Sequence, residues 1–346
     1  MTRTVAVVGA GAAGVGVADA LRAEDDTTVT LFDKARGISG RAATRRKHGC
    51  RYDHGANYLK PGDDAWLSSL LDDLDSDGLV DIEEPVWTHD ADGTIAEGRD
   101  DDSPKWTYTE GITQFAKRIV ARSDATVETE TRIEEVSRTA DGWHLTDTDG
   151  DEYGPFDALV LTPPAPQTAD LLAATDWDDD RRERLHRAVD AVPYRTVRTL
   201  VLHYPFEVDR PWYALVNPDR EHPVGWLSRE ACKPGHVPDG QSLLVAQMSP
   251  DWSVDHYDDE TEDAAAEAAD LVATLLGDDR LREPDWVDSQ GWRYALPDEA
   301  VDIEAARCAE DAGLFVAGDW VVGEGRVHLA FENGRSVGSR LVDALQ

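Results

Sequence analysis

The sequence predicts an α/β fold, because its first apolar strand runs through a glycine-rich turn into a helix. Residues 5–8 are a short apolar run, and Gly9, Gly11 and Gly14 follow it with the spacing G-x-G-x-x-G. Residues 15–23 then carry a helical pattern. In this spacing the first glycine allows a tight turn, the second lets the backbone approach a pyrophosphate, and the third lets the helix pack on the strand. The unpaired N–H groups at the helix N-terminus favour the same anion.

A second strand and an acidic residue complete this motif. Residues 28–32 form an apolar, β-branched run that ends at Asp33, nineteen residues after Gly14. A carboxylate in that place can accept hydrogen bonds from the hydroxyls of an adenine ribose. The strand, turn, helix and distal acid together predict a bound dinucleotide, whereas a lone G-x-G-x-x-G would be weak evidence.

Two apolar strands further along the chain predict additional members of the sheet. Residues 157–162 have the pattern of a buried strand, which Pro163 and Pro164 stop. Residues 315–317 have the same pattern, and a Gly-Asp pair follows them before a helix that begins near Val327. The N–H groups and positive dipole end of that helix would stabilise a negative charge in front of it.

The composition argues against several classes of partner. The 346 residues include 34 basic and 70 acidic side chains, so the formal net charge is −36, with 41% hydrophobic residues. Such a surface repels nucleic acid and anionic membranes. The acidic residues form runs, and none of these matches an EF-hand loop, so no metal site is predicted. The runs lie at 72–75, 100–102, 178–180 and 258–260.

The charge and the cysteine usage predict a compartment. We interpret the acidity as an adaptation to a halophilic cytosol, where salt screens self-repulsion. Equal stability in molar KCl and in dilute buffer would refute that hypothesis. Cys50, Cys232 and Cys308 lie far apart with no C-x-x-C, which argues against a dithiol centre and fits a reducing compartment. Neither a secretory signal nor an apolar run of membrane-spanning length is present, so we expect a cytoplasmic protein.

One basic stretch departs from this acidity. Residues 34–51 hold seven of the 34 Lys and Arg residues and no acidic residue. Arg41 is the best candidate for a pyrophosphate ligand, because Arg forms directed paired bonds to phosphate oxygens. Arg45, Arg46 and Lys47 exceed what one dinucleotide requires. They either face a second phosphorylated molecule or pair with the acidic surface, and the sequence leaves both alternatives open.

Four further blocks carry a family pattern. Residues 36–46 are RGISGRAATRR, residues 52–58 are YDHGANY, residues 290–297 are QGWRYALP, and residues 314–334 contain LFVAGD, GRVHLA and NG. With the glycine turn, these blocks resemble flavin-dependent oxidoreductases of the amine-oxidase type, and among them renalase-like proteins. The first block departs from the family pattern at Ser39, where the family has a glycine.

The resemblance implies FAD as the cofactor. No cysteine lies in the C-terminal flavin segment, so we expect FAD to be bound non-covalently. By the same resemblance, the helix near Val327 faces the N1–O2 edge of the flavin, where its positive end favours the reduced form. The predicted cofactor-binding residues are Gly9, Gly11, Ala12, Ala13, Gly14, Asp33, Lys34, Gly40, Arg41, Ala56, Asn57, Ile133, Gly318, Asp319, Arg326, Val327 and Ala330.

The resemblance also implies two interleaved domains. We expect a Rossmann-like FAD-binding domain built from discontinuous segments, and an α+β substrate domain that contains a sheet. The predicted FAD-binding segments are residues 1–60, 125–164 and 286–346, and the predicted substrate segments are residues 61–124 and 165–285. Within them we predict a small antiparallel meander at 125–162, strands at 194–204 and 242–249, and helices at 112–122 and 261–276.

The predicted chemistry is that of the flavin, so no catalytic side chain is assigned. The leading prediction is renalase-like oxidation of a dihydronicotinamide, with O2 as acceptor and a dinucleotide as the small-molecule substrate. The alternatives are a flavin amine oxidase, a desaturase-type oxidoreductase, and a flavin-binding sensor without turnover. The sequence leaves the oligomeric state open. The candidates for the substrate pocket are Trp292, Arg293, Tyr294, Tyr58, Arg45 and Arg46.

Overall fold

A computed structural model describes residues 2–60, 66–74, 76–98 and 103–344. Asp75 and residues 100–102, which belong to two of the acidic runs, lie outside the described residues. In chain order the strands are β1 (Arg3–Val8), β2 (Thr27–Phe32), β3 (Thr44–Lys47), β4 (Cys50–Asp53), β5 (Leu79–Asp81), β6 (Val86–His89), β7 (Ile95–Ala96), β8 (Trp106–Tyr108), β9 (Thr126–Glu128), β10 (Ile133–Arg138), β11 (Trp143–Asp147), β12 (Glu152–Phe156), β13 (Ala158–Leu161), β14 (Tyr194–Tyr204), β15 (Ala214–Val216), β16 (Val224–Arg229), β17 (Ser242–Met248), β18 (Trp286–Pro297) and β19 (Leu314–Val316). The helices are α1 (Ala12–Leu21), α2 (Trp66–Asp73), α3 (Thr113–Ala121), α4 (Ala165–Ala174), α5 (Asp180–Asp190), α6 (Pro250–Asp255), α7 (Thr261–Leu276), α8 (Ile303–Ala306), α9 (Asp319–Val322) and α10 (Val327–Ala344).

The chain forms two compact units, here called unit 1 and unit 2. Unit 1 comprises Met1–Ala42, Phe115–Tyr194 and Leu296–Gln346, and unit 2 comprises Ala43–Gln114 and Arg195–Ala295. Each unit has its own sheet and its own buried core. The α/β fold and the sheet-containing second part that the sequence predicts are confirmed.

Unit 1 is built on a parallel sheet with the strand order β19-β13-β1-β2-β9. Strands β13 (ALVL) and β19 (LFV) are continuous buried apolar runs, as is typical of parallel sheets that helices cover on both faces. Helices α1 and α10 approach closely, since a methyl group on Gly16 would lie 2.2 Å from the carbonyl oxygen of Phe331 and one on Gly334 would lie 2.0 Å from that of Ala13. Strands β10, β11 and β12 form a separate antiparallel sheet.

Unit 2 is built on a seven-stranded sheet with the order β18-β14-β17-β16-β15-β6-β7. One face carries Leu200, Leu202 and Leu244, which are buried against the small residues of α7. The Ala-rich sequence of α7 suits this role, because alanine favours helix and lets the helix approach the sheet. The opposite face carries Val201 and Val245, which pack with β4. We call the second face the Tyr52 face, after the buried β4 residue in that cluster.

The two units divide the chain at other places than the sequence-based ranges. Residues 43–60 and 286–295 lie in unit 2, whereas helices α4 and α5 lie in unit 1. Helices α4 and α5 join unit 1 because Leu172 and Leu185 are buried in the same cluster as Leu159 of its sheet. An amphipathic pattern shows that a helix is buried on one side, but it does not show against which sheet.

One strand of the predicted meander also lies elsewhere. Strand β9 pairs with β2 in the parallel sheet, with Leu31 opposite Val127, whereas only β10, β11 and β12 form the antiparallel meander. Three residues with alternating exposure give no signal that separates a parallel edge strand from a hairpin strand. The predicted helix at 261–276 is confirmed at both ends by α7.

Candidate functional site

The glycine turn of unit 1 has the geometry that its spacing predicts. Gly9 has a φ of +103°, in the region that favours glycine. A methyl group on Gly14 would lie 2.0 Å from the Gly9 carbonyl oxygen, so this glycine allows α1 to pack against the turn. A methyl group on Gly11 would have no heavy atom within 4 Å. The space beside Gly11 is therefore open, as the approach of a pyrophosphate requires.

The N-terminus of α1 is available to an anion. Gly11 occupies the N-cap position and no side chain caps the helix there. The first turn contains no acidic residue, and the predicted ligands Ala12 and Ala13 form its start. The free backbone N–H groups and the helix dipole therefore point a positive partial charge toward the open space.

Asp33 is held in place by backbone groups on either side. Its Oδ2 accepts a hydrogen bond from the Ala10 N–H at 2.8 Å, and its Oδ1 accepts one from the Ala35 N–H at 2.8 Å. The residue is 9% exposed. Each carboxylate oxygen retains a lone pair, so the oriented side chain can accept hydrogen bonds from two vicinal hydroxyls.

Arg41 and Asp319 form an ion pair in unit 1. Their guanidinium and carboxylate groups make two parallel hydrogen bonds of 2.8 Å each. Burial alone would lower the pKa of Arg41, but Asp319 outweighs it, so the pKa is raised. Gly40, with a φ of +53°, brings the turn that carries Arg41 to 3.7 Å from the Cα of Gly11, measured from its ideal Cβ position. Two predicted cofactor ligands that lie far apart in the sequence are thus adjacent in unit 1.

Tyr194 is a member of this group that the sequence analysis missed. Its hydroxyl accepts a hydrogen bond from the Ala165 N–H at 3.3 Å and is also hydrogen-bonded to Arg41. Burial raises the pKa of Tyr194 well above its ordinary value, so it is a neutral phenol. No sequence motif marks a single tyrosine at the end of a helix-to-strand connection.

The C-terminal segment completes the unit 1 arrangement. The Gly318 N–H donates to Asn333 Oδ1 at 3.0 Å, which ties the Gly-Asp turn to α10. Val327 begins α10, and Ala330 is buried one turn later. Arg326 is exposed at this helix start, 3.5 Å from Glu324.

Two other predicted cofactor ligands, Lys34 and Ile133, lie in unit 1. Lys34 donates to Gln167 Oε1 at 3.3 Å, and burial lowers the pKa of its ammonium group. Ile133 is buried at the start of β10.

The remaining predicted ligands, Ala56 and Asn57, lie in unit 2, in the segment that follows β4. The carbonyl oxygen of Gly55 accepts from Gln247 Nε2 at 2.6 Å and from Asn57 Nδ2 at 3.2 Å. The hydroxyl of Ser228 donates to Asn57 Oδ1 at 3.3 Å. Side chains of two sheet strands, β16 and β17, therefore fix the backbone of this segment.

Trp292 also contacts this segment. Its indole N–H donates to the carbonyl oxygen of His54 at 3.1 Å, and the two rings lie 5.4 Å apart at 37°. Burial, together with the nearby Arg45, lowers the pKa of His54 to about 4. His54 is therefore a neutral imidazole at physiological pH.

The pocket candidates of β18 divide between the two faces of the sheet. Successive side chains of a strand point to opposite faces, and the contacts follow that rule. Trp292 contacts His54 on the Tyr52 face, whereas the Arg293 guanidinium lies 4.4 Å from the ring centre of Tyr257, which follows helix α6. Tyr294 shares the strand parity of Trp292. Trp292 and Arg293 are therefore not brought together.

The basic residues of β3 are engaged by acidic and carbonyl groups of unit 2. Arg45 pairs with Asp288 at 2.7 Å, and the hydroxyl of Tyr52 donates to the same carboxylate. Arg46 pairs with Glu110 at 3.4 Å, and Lys47 Nζ donates to the carbonyl oxygen of Val287 at 2.8 Å. Arg45 and Arg46 therefore have acidic partners, as one of the two alternatives predicts, whereas Lys47 has a carbonyl partner.

Unit 2 also contains a group of three aromatic rings. Tyr58, Tyr213 and Trp226 have ring centres 6.2 to 6.3 Å apart. Tyr213 is fully buried, and burial raises the pKa of its hydroxyl. Of the predicted pocket residues, Tyr58 and Trp292 each lie against other aromatic rings.

Two known protein families match segments of this chain. Residues 92–342 match the model of the flavin containing amine oxidoreductase family, and residues 7–74 match that of the NAD(P)-binding Rossmann-like domain. The first match covers more than half of the 346 residues. The chain belongs to the flavin containing amine oxidoreductase family. It is accordingly an FAD-dependent oxidoreductase.

Several solved structures share the fold of this chain. A candidate protoporphyrinogen oxidase from Exiguobacterium sp. 255-15 has 15% identity and a TM-score of 0.76, with 99% of each chain covered. A triple mutant of putrescine oxidase has 13% identity and a TM-score of 0.71, again with 99% of each chain covered. A CLA-producing fatty acid isomerase from P. acnes has 15% identity and a TM-score of 0.68, with 97% of this chain and 98% of that chain covered. At such identities the likeness concerns the fold.

The residues of unit 1 fit the FAD that the family uses. The open space beside Gly11, the uncapped start of α1 and the oriented carboxylate of Asp33 match the pyrophosphate and ribose of a dinucleotide. Arg41 and Asp319, which pair with each other, would offer a cation and a hydrogen-bond acceptor to the phosphate and ribityl groups. When bound, FAD supplies the two-electron chemistry, and the protein supplies position and electrostatics. Among the residues that the structure describes, no helix is long and apolar enough to cross a membrane.

Proposed function

We propose that the protein is a renalase-like oxidase of dihydronicotinamides, acting on NAD(P) isomers reduced at the 2 or 6 position of the ring. Bound FAD would accept a hydride from the ring at its N5 position, and O2 would take the two electrons with two protons to give H2O2. The net reaction converts the dihydronicotinamide, O2 and one proton into the oxidised nicotinamide and H2O2. No protein base is needed, because the substrate gives up a hydride and no proton.

The observation that supports this proposal best is the pairing of Trp292 with a neutral His54. The half-buried indole of Trp292 offers a planar, polarisable surface to a planar ring. The buried His54 packs against this indole as an uncharged imidazole. The pKa of His54 of about 4 keeps the imidazole from competing as a cation or acting as a general acid near pH 7. Tyr58 and Trp226, which are only partly buried, add aromatic surface in the same unit, whereas their neighbour Tyr213 is fully buried.

The carboxylates beside these rings also favour a neutral ring over a cationic amine. Asp288 pairs with Arg45 at 2.7 Å, and Asp53 and Glu230 each lie 2.9 Å from the Lys233 ammonium. An ammonium substrate would therefore find these carboxylates already compensated. We do not assign the recognition of substrate phosphates to Arg45 or Arg46, because both are paired with acidic groups.

Amine oxidation is the second candidate, and the family to which the chain belongs is the observation that favours it. Aromatic rings also bind cations through their faces. An amine would have to enter as the neutral base, since its lone pair takes part in the oxidation. The two candidates therefore differ in substrate and not in cofactor.

The test is anaerobic mixing of the FAD-loaded protein with candidate donors, followed by the flavin absorbance. The donors are the 2- and 6-dihydronicotinamide isomers, ordinary NADH and a panel of amines. We expect the isomers to bleach the flavin band within the mixing time and the other donors to act far more slowly. Fast bleaching by an amine would replace this proposal with amine oxidation, and slow reduction by every donor would indicate a flavin-binding sensor.

A further inference from the structure

The hydroxyl of Tyr194 connects three separate segments of unit 1. It accepts a hydrogen bond from the Ala165 N–H at 3.3 Å, and the Arg41 guanidinium donates to it. Arg41 also forms its two bonds of 2.8 Å to Asp319. Ala165 begins α4, Arg41 lies in the turn at 40–42, and Asp319 begins α9. One phenol therefore ties the start of α4 to the ion pair of Arg41 and Asp319.

This group lies near the point where the parallel sheet of unit 1 reverses its strand order. From β1 the chain continues to β2 and β9 on one side, whereas β13 and β19 lie on the other side. Strands β1 and β13 are neighbours, with Val8 opposite Leu161, and the Thr162 N–H donates to the carbonyl oxygen of Val8 at 2.9 Å. Ligands of open parallel sheets bind outside the carboxyl ends of the strands at such a reversal. Helix α4 begins shortly after β13, so Tyr194 is bonded to an element at this end of the sheet.

Arg41 is held firmly on one side and accessible on another. The Asp319 side chain is 6% exposed, whereas the Arg41 side chain is 28% exposed. The carboxylate is thus enclosed, and part of the arginine can still be reached by a ligand. Ordering a long side chain costs conformational entropy. Since Asp319 and Tyr194 already restrict Arg41, less of that cost falls on the binding step.

A neutral acceptor suits this place better than a second carboxylate. Arg41 and Asp319 together have a net charge of zero, and another carboxylate would make the group negative and repel the phosphates of a dinucleotide. Burial and the neighbouring Asp319 raise the pKa of Tyr194, so its hydroxyl stays neutral. The ring packs against the core of unit 1, which fixes where the hydroxyl lies.

We propose that Tyr194 is a positioning residue that holds the Arg41 guanidinium in the orientation that binds the phosphates of FAD. This inference rests on the prediction that Arg41 contacts these phosphates, and it involves only residues of unit 1. Tyr194 acts through Arg41 and not on the cofactor itself. Loss of its hydroxyl should therefore weaken FAD binding only when Arg41 is present.

The test is a double-mutant cycle on the affinity for FAD, measured by fluorescence titration of each apoprotein. Tyr194→Phe removes the hydroxyl and keeps the packed ring. Arg41→Met removes the cation and keeps a long side chain. We expect Tyr194→Phe to weaken FAD binding about 10-fold and Arg41→Met to weaken it at least about 30-fold. In the Arg41→Met background, Tyr194→Phe should change the affinity by less than about 2-fold.

Tyr204→Phe is the matched control. Tyr204 is fully buried in unit 2, and its hydroxyl donates to the carbonyl oxygen of Leu281 at 2.8 Å. This variant also loses one hydrogen bond of a tyrosine, but none to Arg41. Urea unfolding of the apoproteins should show a loss of stability in both tyrosine variants. Only Tyr194→Phe should lose FAD affinity, with Tyr204→Phe within about 2-fold of wild type.

Four results would overturn the inference. Wild-type FAD affinity in Tyr194→Phe would show that the hydroxyl does not position Arg41. An equal loss with and without Arg41 would show that Tyr194 acts independently of the arginine. The same loss in Tyr204→Phe would trace the effect to general destabilisation, and wild-type affinity in Arg41→Met would show that Arg41 does not serve FAD. The titrations contain no nicotinamide or amine, so their outcome is independent of which substrate the protein oxidises.

Discussion

The two units differ in how far their charged and polar groups already have bonding partners. In unit 1 the groups around the glycine turn are oriented but incompletely used, since Asp33 keeps free lone pairs and no side chain caps α1. In unit 2 the buried charges are compensated within the unit, as in the pairing of Lys233 with Asp53 and of Arg45 with Asp288. The glycine turn of unit 1 therefore has hydrogen-bonding groups that a charged molecule can use, whereas the paired charges of unit 2 are compensated by one another.

The largest effect we expect concerns Gly14, because packing fills the space beside this glycine, whereas the space beside Gly11 is open. Gly14→Ala should lower the free energy of unfolding by about 3 kcal/mol or more, because its methyl group would lie 2.0 Å from the backbone oxygen of Gly9. Urea unfolding of the apoprotein measures this. Gly16→Ala is a matched variant in the same helix, and its methyl group would meet Phe331 at 2.2 Å. Wild-type stability of Gly14→Ala would contradict the close packing of α1 on the turn.

The second prediction concerns the neutral imidazole of unit 2. The pKa of His54 is about 4 in the folded protein and about 6.5 in an unfolded chain. Between these values the unfolded state binds more protons, so stability is complete above pH 6.5 and falls as the pH drops toward 4. The loss should reach about 3 kcal/mol at pH 4. His54→Gln should lack this part of the pH dependence, as unfolding at pH 7 and pH 4 would reveal. An identical pH profile in the variant would mean that His54 does not stay neutral.

The third prediction tests whether the Arg41–Asp319 pair serves FAD. Asp319→Asn should weaken FAD binding about 10- to 100-fold, because Asp319 orients the guanidinium through two hydrogen bonds of 2.8 Å. Arg41→Lys is the companion variant, since an ammonium group cannot form the paired contact. Fluorescence titration of the apoprotein with FAD gives both affinities. Tighter binding in Asp319→Asn would show that the carboxylate competes with FAD for Arg41.

The smallest effects distinguish two cations of β3. Arg46→Ala should change the free energy of unfolding by less than about 1 kcal/mol, because its pair with Glu110 is exposed. Arg45→Ala should cost more, since it leaves the half-buried Asp288 without its cation. Both should bind the dihydronicotinamide substrate with a KM within about 3-fold of wild type. A large rise in KM for Arg46→Ala would restore the idea of a phosphate site on this strand.

The sequence predicted unit 1 better than unit 2. The glycine spacing and Asp33 are local signals, because each residue acts through its own backbone and its immediate neighbours. Arg41 and Asp319 belong to two blocks that the sequence analysis recognised. Tyr194, which is hydrogen-bonded to Arg41, lies in no motif. Asp53 lies in the recognised block at 52–58, but nothing in the sequence linked it to Glu230, Lys233 and His236, because buried and exposed charged residues look alike in a single sequence.

Strand alternation explains one further limit. Trp292 and Arg293 are neighbours in one block, and their shared block suggested a shared pocket. On β18 they point to opposite faces and contact His54 and Tyr257 respectively. Side chains are known to alternate between the two faces of any strand. The sequence did not give the bounds of β18 or show which strand it pairs with.

The most direct test of this contrast is the FAD affinity of Gly11→Ala beside its stability. Nothing lies within 4 Å of the position its methyl group would take, so we predict an unfolding free energy within about 1 kcal/mol of wild type. We also predict FAD binding at least about 100-fold weaker, because the methyl group enters the space that the pyrophosphate uses. Wild-type FAD affinity in a stable Gly11→Ala protein would contradict the assignment of the open space in unit 1 to the cofactor.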